Sequence, residues 1–435
     1  MFATIRDTEC SKSELDLFSI PPTQSSIQNN IYTRVSPLTA VTNALAPIEF
    51  IIKASSEHFI DPSDIFLYLK ISIKNRDATK LKDLHKLYFE NNIFHSMFSD
   101  VEVFLNETKI TSGGNNYAYR AFFENLFNFS KDEKDSKLVC EGFYSEKDRK
   151  QIISRYYNLS EKSFEGYGRL HSDIFFQPRL ILSGCDMKIK LHRNSTTFCI
   201  KSDAVDSEKT DLDPSKIFLS VEDIYLDVRK VQLSSQQHLN IERQLNNSAA
   251  KYPITRVDIK TFSISSGISR TMINHVVNGK LPSRIMFGLI PHSAYNGDIF
   301  ESGLNFNHNN LITTGIYING CLFSQFIKCE YSDSNSKLSN HVRAYHKMFS
   351  ELASDGDIVD LKYDEFKNNY CIYIFDLTQD RCVNPVNHVN PVLQGDLSVY
   401  VEFSKELQKN LTLIAYIEFP GIIQVDKPRQ AYVDF

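Results

Sequence analysis

The sequence lacks several features that mark common classes of protein. Tryptophan is absent, and 16 glycines and 14 prolines among 435 residues are far below the share found in low-complexity chains. No stretch approaches the roughly 18 consecutive apolar residues of a membrane span, so a transmembrane segment is not expected. The eight cysteines are scattered without a Cys-x-x-Cys pair, which argues against a disulfide scaffold and a zinc ribbon.

A strong excess of positive or negative charge is also missing. The 48 basic and 53 acidic residues leave a net charge of −5, which gives no general electrostatic reason to bind phosphate backbones. A specific nucleic-acid partner is therefore not predicted. The N-terminus has no basic flank followed by an apolar run, so no export signal is expected, and the cysteines are interpreted as reduced thiols inside a cell.

Local motifs for catalysis are absent. None of the twelve histidines forms the His-x-His cluster of a metal-dependent double β-sandwich enzyme, and His341 and His346 are five residues apart, which does not place both on one helix face. The chain has no phosphate-binding loop and no nucleophile elbow. Catalytic residues can assemble from distant positions, but the sequence predicts no enzyme, cofactor or metal site.

Alternating apolar residues are the clearest positive feature. From Ile65 to Ile73 every second residue is aliphatic, the pattern of a β-strand with one buried face. Many such strands and few helical patterns (117–127, 235–246 and 342–352) predict an all-β chain of packed sandwiches. The expected strands lie near 48–53, 64–74, 101–105, 108–112, 171–177, 185–192, 196–201, 221–233, 254–264, 283–290, 314–318, 321–326, 370–376, 396–403, 411–419 and 422–433.

An internal duplication is indicated by four weak matches in the same order, between 211 and 223 residues apart. They pair Pro62–Leu69 with Pro282–Leu289, Val103–Asn106 with Ile316–Asn319, Arg120–Phe122 with Arg343–Tyr345, and Gly184 with Gly395. Each half then holds about eight strands, which is the count of a jelly roll. The duplication predicts that Ile65 superposes on Ile285.

The fold class predicted is therefore two tandem eight-stranded antiparallel jelly rolls with a few short inserted helices. The expected division is an extended N-terminal arm (1–45), a first jelly roll (46–233), a helical linker (234–250) and a second jelly roll (251–435).

The arm carries apolar side chains ahead of two consecutive prolines, Pro21 and Pro22. The apolar positions are Leu15, Leu17, Phe18 and Ile20. Because proline fixes φ and removes a backbone donor, this stretch suits an extended strap that docks on a partner surface. The alternative is a strand laid on its own domain.

Several segments carry a resemblance to a known family. They are 13–24, 117–127, 168–177, 251–262 and the stretch from 415–419 to 432–435. Together they resemble the major capsid proteins of the Polinton (Maverick) and adintovirus group of virus-like elements, and the likeness covers nearly the whole chain. One departure is Ala118, where the family commonly has a proline that would preset the first helical turn.

The resemblance implies a hexon-like structural protein of a virion. Its homotrimers would form pseudo-hexameric capsomers of an icosahedral shell, assembled inside the host cell, with neighbouring capsomers and minor or penton capsid proteins as partners. The arm would reach such a partner, and the two inserted helices would help to shape the outer or lateral surface. The helix residues singled out are Tyr119, Arg120, Phe122, Phe123, Arg343 and Tyr345.

Two other functions are left open. One is a monomeric two-domain β-sandwich module that binds, for example, carbohydrate. The other is a minor or penton capsid protein, although such proteins usually carry one jelly roll and this chain has sequence for two.

Overall fold

Strands dominate the chain, which is described here by a computed structural model. The described residues are 17–18, 23–39, 41, 46–76, 81, 86–145, 153, 162–204, 212–331, 340–352, 359–383 and 390–433. The strands of the first half are β1 (Ile27–Val35), β2 (Ile48–Ile52), β3 (His58–Asn75), β4 (Leu87–Phe89), β5 (Phe98–Leu105), β6 (Thr108–Lys109), β7 (Ser163–Gly168), β8 (Met187–Arg193), β9 (Ile200–Ser202) and β10 (Ile217–Leu233).

The second half contains β11 (Ala250–Ile264), β12 (Arg270–Lys280), β13 (Arg284–Pro291), β14 (Leu311–Ile318), β15 (Cys321–Leu322), β16 (Ile327–Lys328), β17 (Ile372–Asp376), β18 (Gln394–Phe403), β19 (Leu411–Val425) and β20 (Ala431–Val433). The α-helices are Ile93–Ser96, Tyr117–Phe127, Lys131–Asp135, Thr196–Cys199, Ser235–Gln244, His292–Tyr295, Val342–Leu352 and Tyr363–Asn368, and short 3-10 turns span Lys137–Glu141, Asp173–Phe176 and Pro214–Lys216.

Both halves have the same sheet topology. In the first, two four-stranded sheets have the orders β1-β10-β3-β7 and β2-β8-β5-β6, and in the second the orders are β11-β19-β13-β17 and β12-β18-β14-β15. Counting the eight sheet strands along each half, both give 1-8-3-6 and 2-7-4-5, with antiparallel pairing throughout. This is the jelly-roll arrangement, and the predicted tandem pair of jelly rolls is confirmed.

Two of the four matched pairs named in the sequence fall on corresponding strands or the turns that follow them. Ile65 lies on β3 and Ile285 on β13, each the third strand of its jelly roll, and both are buried. Asn106 and Asn319 begin the turns after β5 and β14 with φ of 53° and 52°. Each side-chain oxygen accepts a hydrogen bond from a backbone N–H, of Asp186 at 2.9 Å and of Asp396 at 2.8 Å. Asparagine tolerates this left-handed conformation, which explains its repeated use.

Several local expectations differ from the structure. The separate strands expected at 411–419 and 422–433 are one continuous strand, β19, followed by the short β20. Residues 27–35, expected in the arm, form β1, which pairs with β10 as an edge strand. The strand expected at 171–177 is a 3-10 turn, and the strand that fills that place in the sheet is Ser163–Gly168. β12 was not predicted at all. The first part of 196–201 is a short helix.

The apolar cores of the two halves share elements across the domain boundary. The helix Tyr117–Phe127 belongs to the first half, yet Phe122 and Phe123 pack in the core cluster of the second. Conversely, Ile423 and Val425 at the end of β19 pack in the core cluster of the first. The two jelly rolls therefore bury side chains from each other.

Candidate functional site: the junction helix and exposed apolar surfaces

The helix Tyr117–Phe127, called the junction helix below, is buried along its whole length. The family resemblance predicts it at a surface, but it lies between the two jelly rolls. Its aromatic residues recur three and four residues apart, the spacing that places them on one face. The structure shows that the opposite face is covered as well, because side chains from both halves close around it.

Aromatic contacts fix the junction helix against the second jelly roll. The ring of Phe123 stacks on Tyr416 of β19 with centroids 5.6 Å apart. Phe122 stacks on Phe306 at 5.9 Å, and Tyr119 stacks on Tyr295 at 6.0 Å. Such pairs contribute about 0.5–1.5 kcal/mol each beyond the burial of their area. Three predicted site residues thus join the halves rather than face a partner.

Arg120 pairs with two carboxylates inside the junction. Its Nε donates to Oε1 of Glu124 at 2.8 Å, one helical turn along, and its Nη2 donates to Asp173 of the first jelly roll. Tyr416 OH of the second jelly roll also donates to Glu124, at 3.3 Å. All these side chains are buried. The network therefore connects both jelly rolls through the one helix.

The surroundings of Glu124 decide its charge. Burial alone would raise the pKa of this carboxyl, but Arg120 and His171 outweigh burial and hold the pKa at about 2. Burial also acts on Arg120, lowering its pKa, and Asp173 and Glu124 reverse that effect so that the pKa is raised. For Asp173 burial prevails over Arg120, and the pKa is raised.

Beside the Arg120 network lies a second polar cluster that the sequence analysis did not predict. His95, Glu141 and His171 offer ligand-type atoms that all lie within 4.8 Å of one another. Nε2 of His95 is 3.0 Å from Oε2 of Glu141, and Nδ1 of His95 is 2.9 Å from the hydroxyl of Tyr117. Burial, and then the charge of His171, lower the pKa of His95. Among the described residues this trio is suited to hold a metal ion.

A cavity of about 680 Å³ opens beside the junction helix and is bounded by both halves. Arg284 and Glu418, on its wall, form a bidentate ion pair with both N···O distances at 2.9 Å. They sit directly opposite each other on β13 and β19. These two charges are paired with each other, which favours a structural role for them.

The second inserted helix, Val342–Leu352, differs in exposure from its counterpart. Arg343 is exposed and its Nη2 donates to Oε1 of Gln325 at 3.2 Å, whereas Tyr345 is half-buried and donates to the carbonyl of Leu361 at 2.5 Å. Met348 and Leu352 face the core. One face of this helix is therefore buried and another is exposed in the single chain.

Of the predicted arm residues, only Leu17 and Phe18 fall within the described part of the chain. Their side chains are 76% and 97% exposed. Leu15, Ile20, Pro21 and Pro22 lie outside the described residues. The structure therefore shows two large apolar side chains that no described residue of the same chain covers.

A second exposed apolar surface lies at one end of the second jelly roll. Leu322 and Phe323 follow β14 and approach Val392 and Leu393 around a cavity of about 290 Å³. These four side chains are between 38% and 49% exposed. This group is called the end patch below. Contiguous exposed apolar surface of this kind marks sites of protein contact.

Comparison of the sequence with known proteins finds one relative of similar length. No family model matches the chain. An uncharacterized protein of Caenorhabditis elegans is 25% identical over 431 residues, which cover 95% of this chain and 99% of that protein. No helix within the described ranges is long and apolar enough to cross a membrane.

Solved structures of viral proteins are similar over nearly the whole chain. A chain of the PBCV-1 virus capsid has a TM-score of 0.61 at 9% identity, covering 96% of this chain and 99% of that one. A chain of the Sputnik virophage has 0.58 at 10%, covering 99% and 93%. The mavirus major capsid protein has 0.57 at 8%, covering 100% and 97%. At these identities the likeness shows a shared double jelly-roll fold.

Proposed function

We propose that the chain is a major capsid protein whose trimers form pseudo-hexameric capsomers of an icosahedral shell. The observation that carries this proposal is the double jelly roll, which matches the mavirus major capsid protein over both halves. Three chains with two similar β domains each supply six similar domains, as a tile at a six-fold position requires. The role is structural rather than catalytic, and its location is the virion capsid, assembled inside a host cell.

The Polinton (Maverick) and adintovirus group is the family that we propose for the chain. This finer assignment is supported by the resemblance of the arm, of the junction helix and of the start of β11. The structure gives the motif around the junction helix a physical role, because its aromatic residues pack the two jelly rolls together. Ala118, which replaces the usual proline, is buried within the first helical turn.

Oligomeric state tests the proposal directly. We expect purified protein to elute as one species near three times 50.0 kDa by light scattering, and to appear as pseudo-hexagonal tiles by negative-stain electron microscopy. A monodisperse monomer at micromolar concentration would contradict it and would instead favour the two-domain binding module.

The end patch is the surface that we propose for contact between chains. A second copy is the partner that a trimer or a neighbouring capsomer supplies, and its apolar surface would cover Phe323 and Val392. Burying one large apolar side chain contributes about 1.5–3 kcal/mol. We therefore expect Phe323→Ser with Val392→Ser to weaken trimers or tile contacts. Met272→Ser, at an exposed position on β12, is the matched control and should leave assembly unchanged.

The N-terminal arm is proposed to dock on a neighbouring capsomer or on a minor or penton capsid protein. Because β1 begins at Ile27, removing residues 1–24 leaves the first sheet intact. We expect this deletion to preserve the trimer and its melting temperature and to abolish shell assembly. Leu17→Ser with Phe18→Ser should reproduce the loss, whereas Thr23→Ala with Gln24→Ala should not. If the protein without residues 1–24 assembles normal shells, the arm has no role in assembly.

A further inference from the structure

We propose that His95, Glu141 and His171 bind one divalent transition-metal ion, for which zinc is the best match. Two histidines and one carboxylate are a donor set that zinc accepts. The three residues come from separate segments of the first jelly roll, namely the short helix Ile93–Ser96, the end of the 3-10 turn Lys137–Glu141 and the loop after β7. Their side chains are 0%, 6% and 2% exposed.

Both histidine rings have hydrogen-bond partners on the nitrogen that would face away from a metal ion, as in known metal centres. A histidine that binds a metal through one ring nitrogen usually gives the other to a carboxylate or similar group, which fixes the ring. Nδ1 of His171 contacts Oε2 of Glu124, and Nδ1 of His95 is 2.9 Å from the hydroxyl of Tyr117. In both rings Nε2 is therefore the nitrogen left for a metal ion.

The formal charges of the buried cluster call for a cation. Glu124, Glu141 and Asp173 are buried with Arg120, and if all four are ionised and both histidines are neutral the formal charge of the cluster is −2. Charges of this kind are costly to bury unless they are compensated. One divalent ion balances them. Protonation of both histidines is the competing solution, and the experiment below distinguishes the two.

The spacing of the donors suits a small ion after a modest contraction. Tetrahedral zinc with bonds of about 2.0–2.2 Å holds its ligand atoms roughly 3.3–3.6 Å apart. Nε2 of His95 and Oε2 of Glu141 are 3.0 Å apart, and the ligand-type atoms of all three residues lie within 4.8 Å of one another, so a closure of at most about 1.5 Å is needed. Gly168 gives the carboxylate room, because a Cβ there would lie 2.5 Å from Oε1 of Glu141.

Asn125 of the junction helix supplies an independent observation. Its side chain is fully buried, yet its Oδ1 has no hydrogen-bond partner. Its Nδ2 lies 3.3 Å from Oε2 of Glu141 and 3.1 Å from Oδ1 of Asn92, and Nδ2 of Asn92 also has no hydrogen-bond partner. Since the two atoms of an amide exchange on a half-turn of the group, turning both amides would bring Oδ1 of Asn125 beside Glu141 and pair it with Nδ2 of Asn92. In that position Oδ1 of Asn125 is the candidate for a fourth zinc ligand. The ion would then tie the junction helix to the loops around it.

Metal content and metal-dependent stability test the proposal on the full-length protein. After purification without a metal-affinity step, removal of metal with a chelator and reconstitution with zinc, we expect about one zinc per chain by mass spectrometry of the elements. Free zinc at 100 times its Kd should raise the melting temperature by roughly 5–10 °C, and magnesium should not. Cobalt should give the visible absorption of a tetrahedral site.

Variants locate the site. His171→Gln and Glu141→Gln should each reduce bound zinc at least tenfold. His238→Gln is the matched control and should retain it, since His238 is also beside a carboxylate, 3.7 Å from Glu242, but lies outside the cluster. If a variant does not fold, the cobalt spectrum of the unaltered protein still decides. Unaltered protein that takes up no zinc and shows no shift in melting temperature would overturn the proposal and favour protonated histidines.

Discussion

The buried ion pair between Arg284 and Glu418 gives a sharp test of how the second jelly roll is held together. Their side chains are 1% and 4% exposed, and two hydrogen bonds of 2.9 Å join them across β13 and β19. Removing Arg284 leaves the carboxylate of Glu418 buried without this partner, which costs about 3–5 kcal/mol. Arg284→Met should destabilise the protein by that amount, and Glu418→Leu should destabilise it as well, because it removes two hydrogen bonds from the buried guanidinium.

The double variant separates the net contribution of the pair from the penalty of an orphaned charge. When both partners are replaced by apolar side chains of similar volume, the loss is often close to zero. We expect Arg284→Met with Glu418→Leu to regain most of the stability lost in each single variant. For a domain of this size, the single losses correspond to a fall in melting temperature of roughly 6–20 °C.

Urea denaturation followed by circular dichroism is the suitable assay, because the chain has no tryptophan to report unfolding by fluorescence. Lys53→Met is the control. It removes an ion pair with Asp186 in which the lysine side chain is 73% exposed, and should change stability by no more than about 1 kcal/mol. A loss below 1 kcal/mol in either single variant, or a double variant as unstable as the sum of the two, would refute the reasoning.

Three further predictions concern the junction and the repeated turns. Phe123→Ala should lower the free energy of unfolding by about 3–5 kcal/mol in urea melts, because the ring is 1% exposed and stacks on Tyr416; a loss under 1 kcal/mol would contradict its place in the shared core. Glu124 has a pKa of about 2 in the folded protein against an ordinary value of 4.5, so its contribution, about 3 kcal/mol, is present above pH 4.5 and lost as pH falls towards 2. The melting temperature of Glu124→Gln should therefore depend less on pH between 2 and 7 than that of the unaltered protein. Parallel profiles of melting temperature against pH for the two proteins would contradict this. Asn319→Ala should cost about 1 kcal/mol more than Asn319→Gly, since alanine is strained at φ of 52° and glycine is not, and equal melting temperatures would show that the backbone there relaxes.

How far the sequence predicts the fold depends on burial. β3 was predicted because its core face is fully apolar and its other face is not. β1 is not predicted from the sequence because it is an edge strand that is exposed or half-buried along its whole length. Apolar and polar residues therefore do not alternate between its two faces. β12 is also mostly exposed. In β7 two glycines interrupt the apolar pattern. Edge strands of this kind are specified by their neighbours rather than by their own residues.

The site was harder to predict than the fold. The aromatic spacing of the junction helix indicated a helix, but Arg120 and Glu124 on its other face resemble a solvent-exposed pair until Asp173 is brought beside them. His95, Glu141 and His171 lie 46 and 30 residues apart in the chain, so no local spacing connects them. Only the closure of the first jelly roll around the helix assembles either group.

The exchange of core residues between the halves has a consequence for synthesis on the ribosome. The first jelly roll needs Ile423 and Val425 of β19 to complete its core, and the second needs Phe122 and Phe123 from the junction helix. When the second half is synthesised, Phe122 and Phe123 are therefore already part of the nascent chain. The core of the first half stays incomplete, with apolar side chains exposed, until residue 425 has emerged from the ribosome. We expect a nascent chain in that interval to expose apolar surface of the kind that chaperones bind, and we expect two separately expressed halves to be less stable than the whole chain.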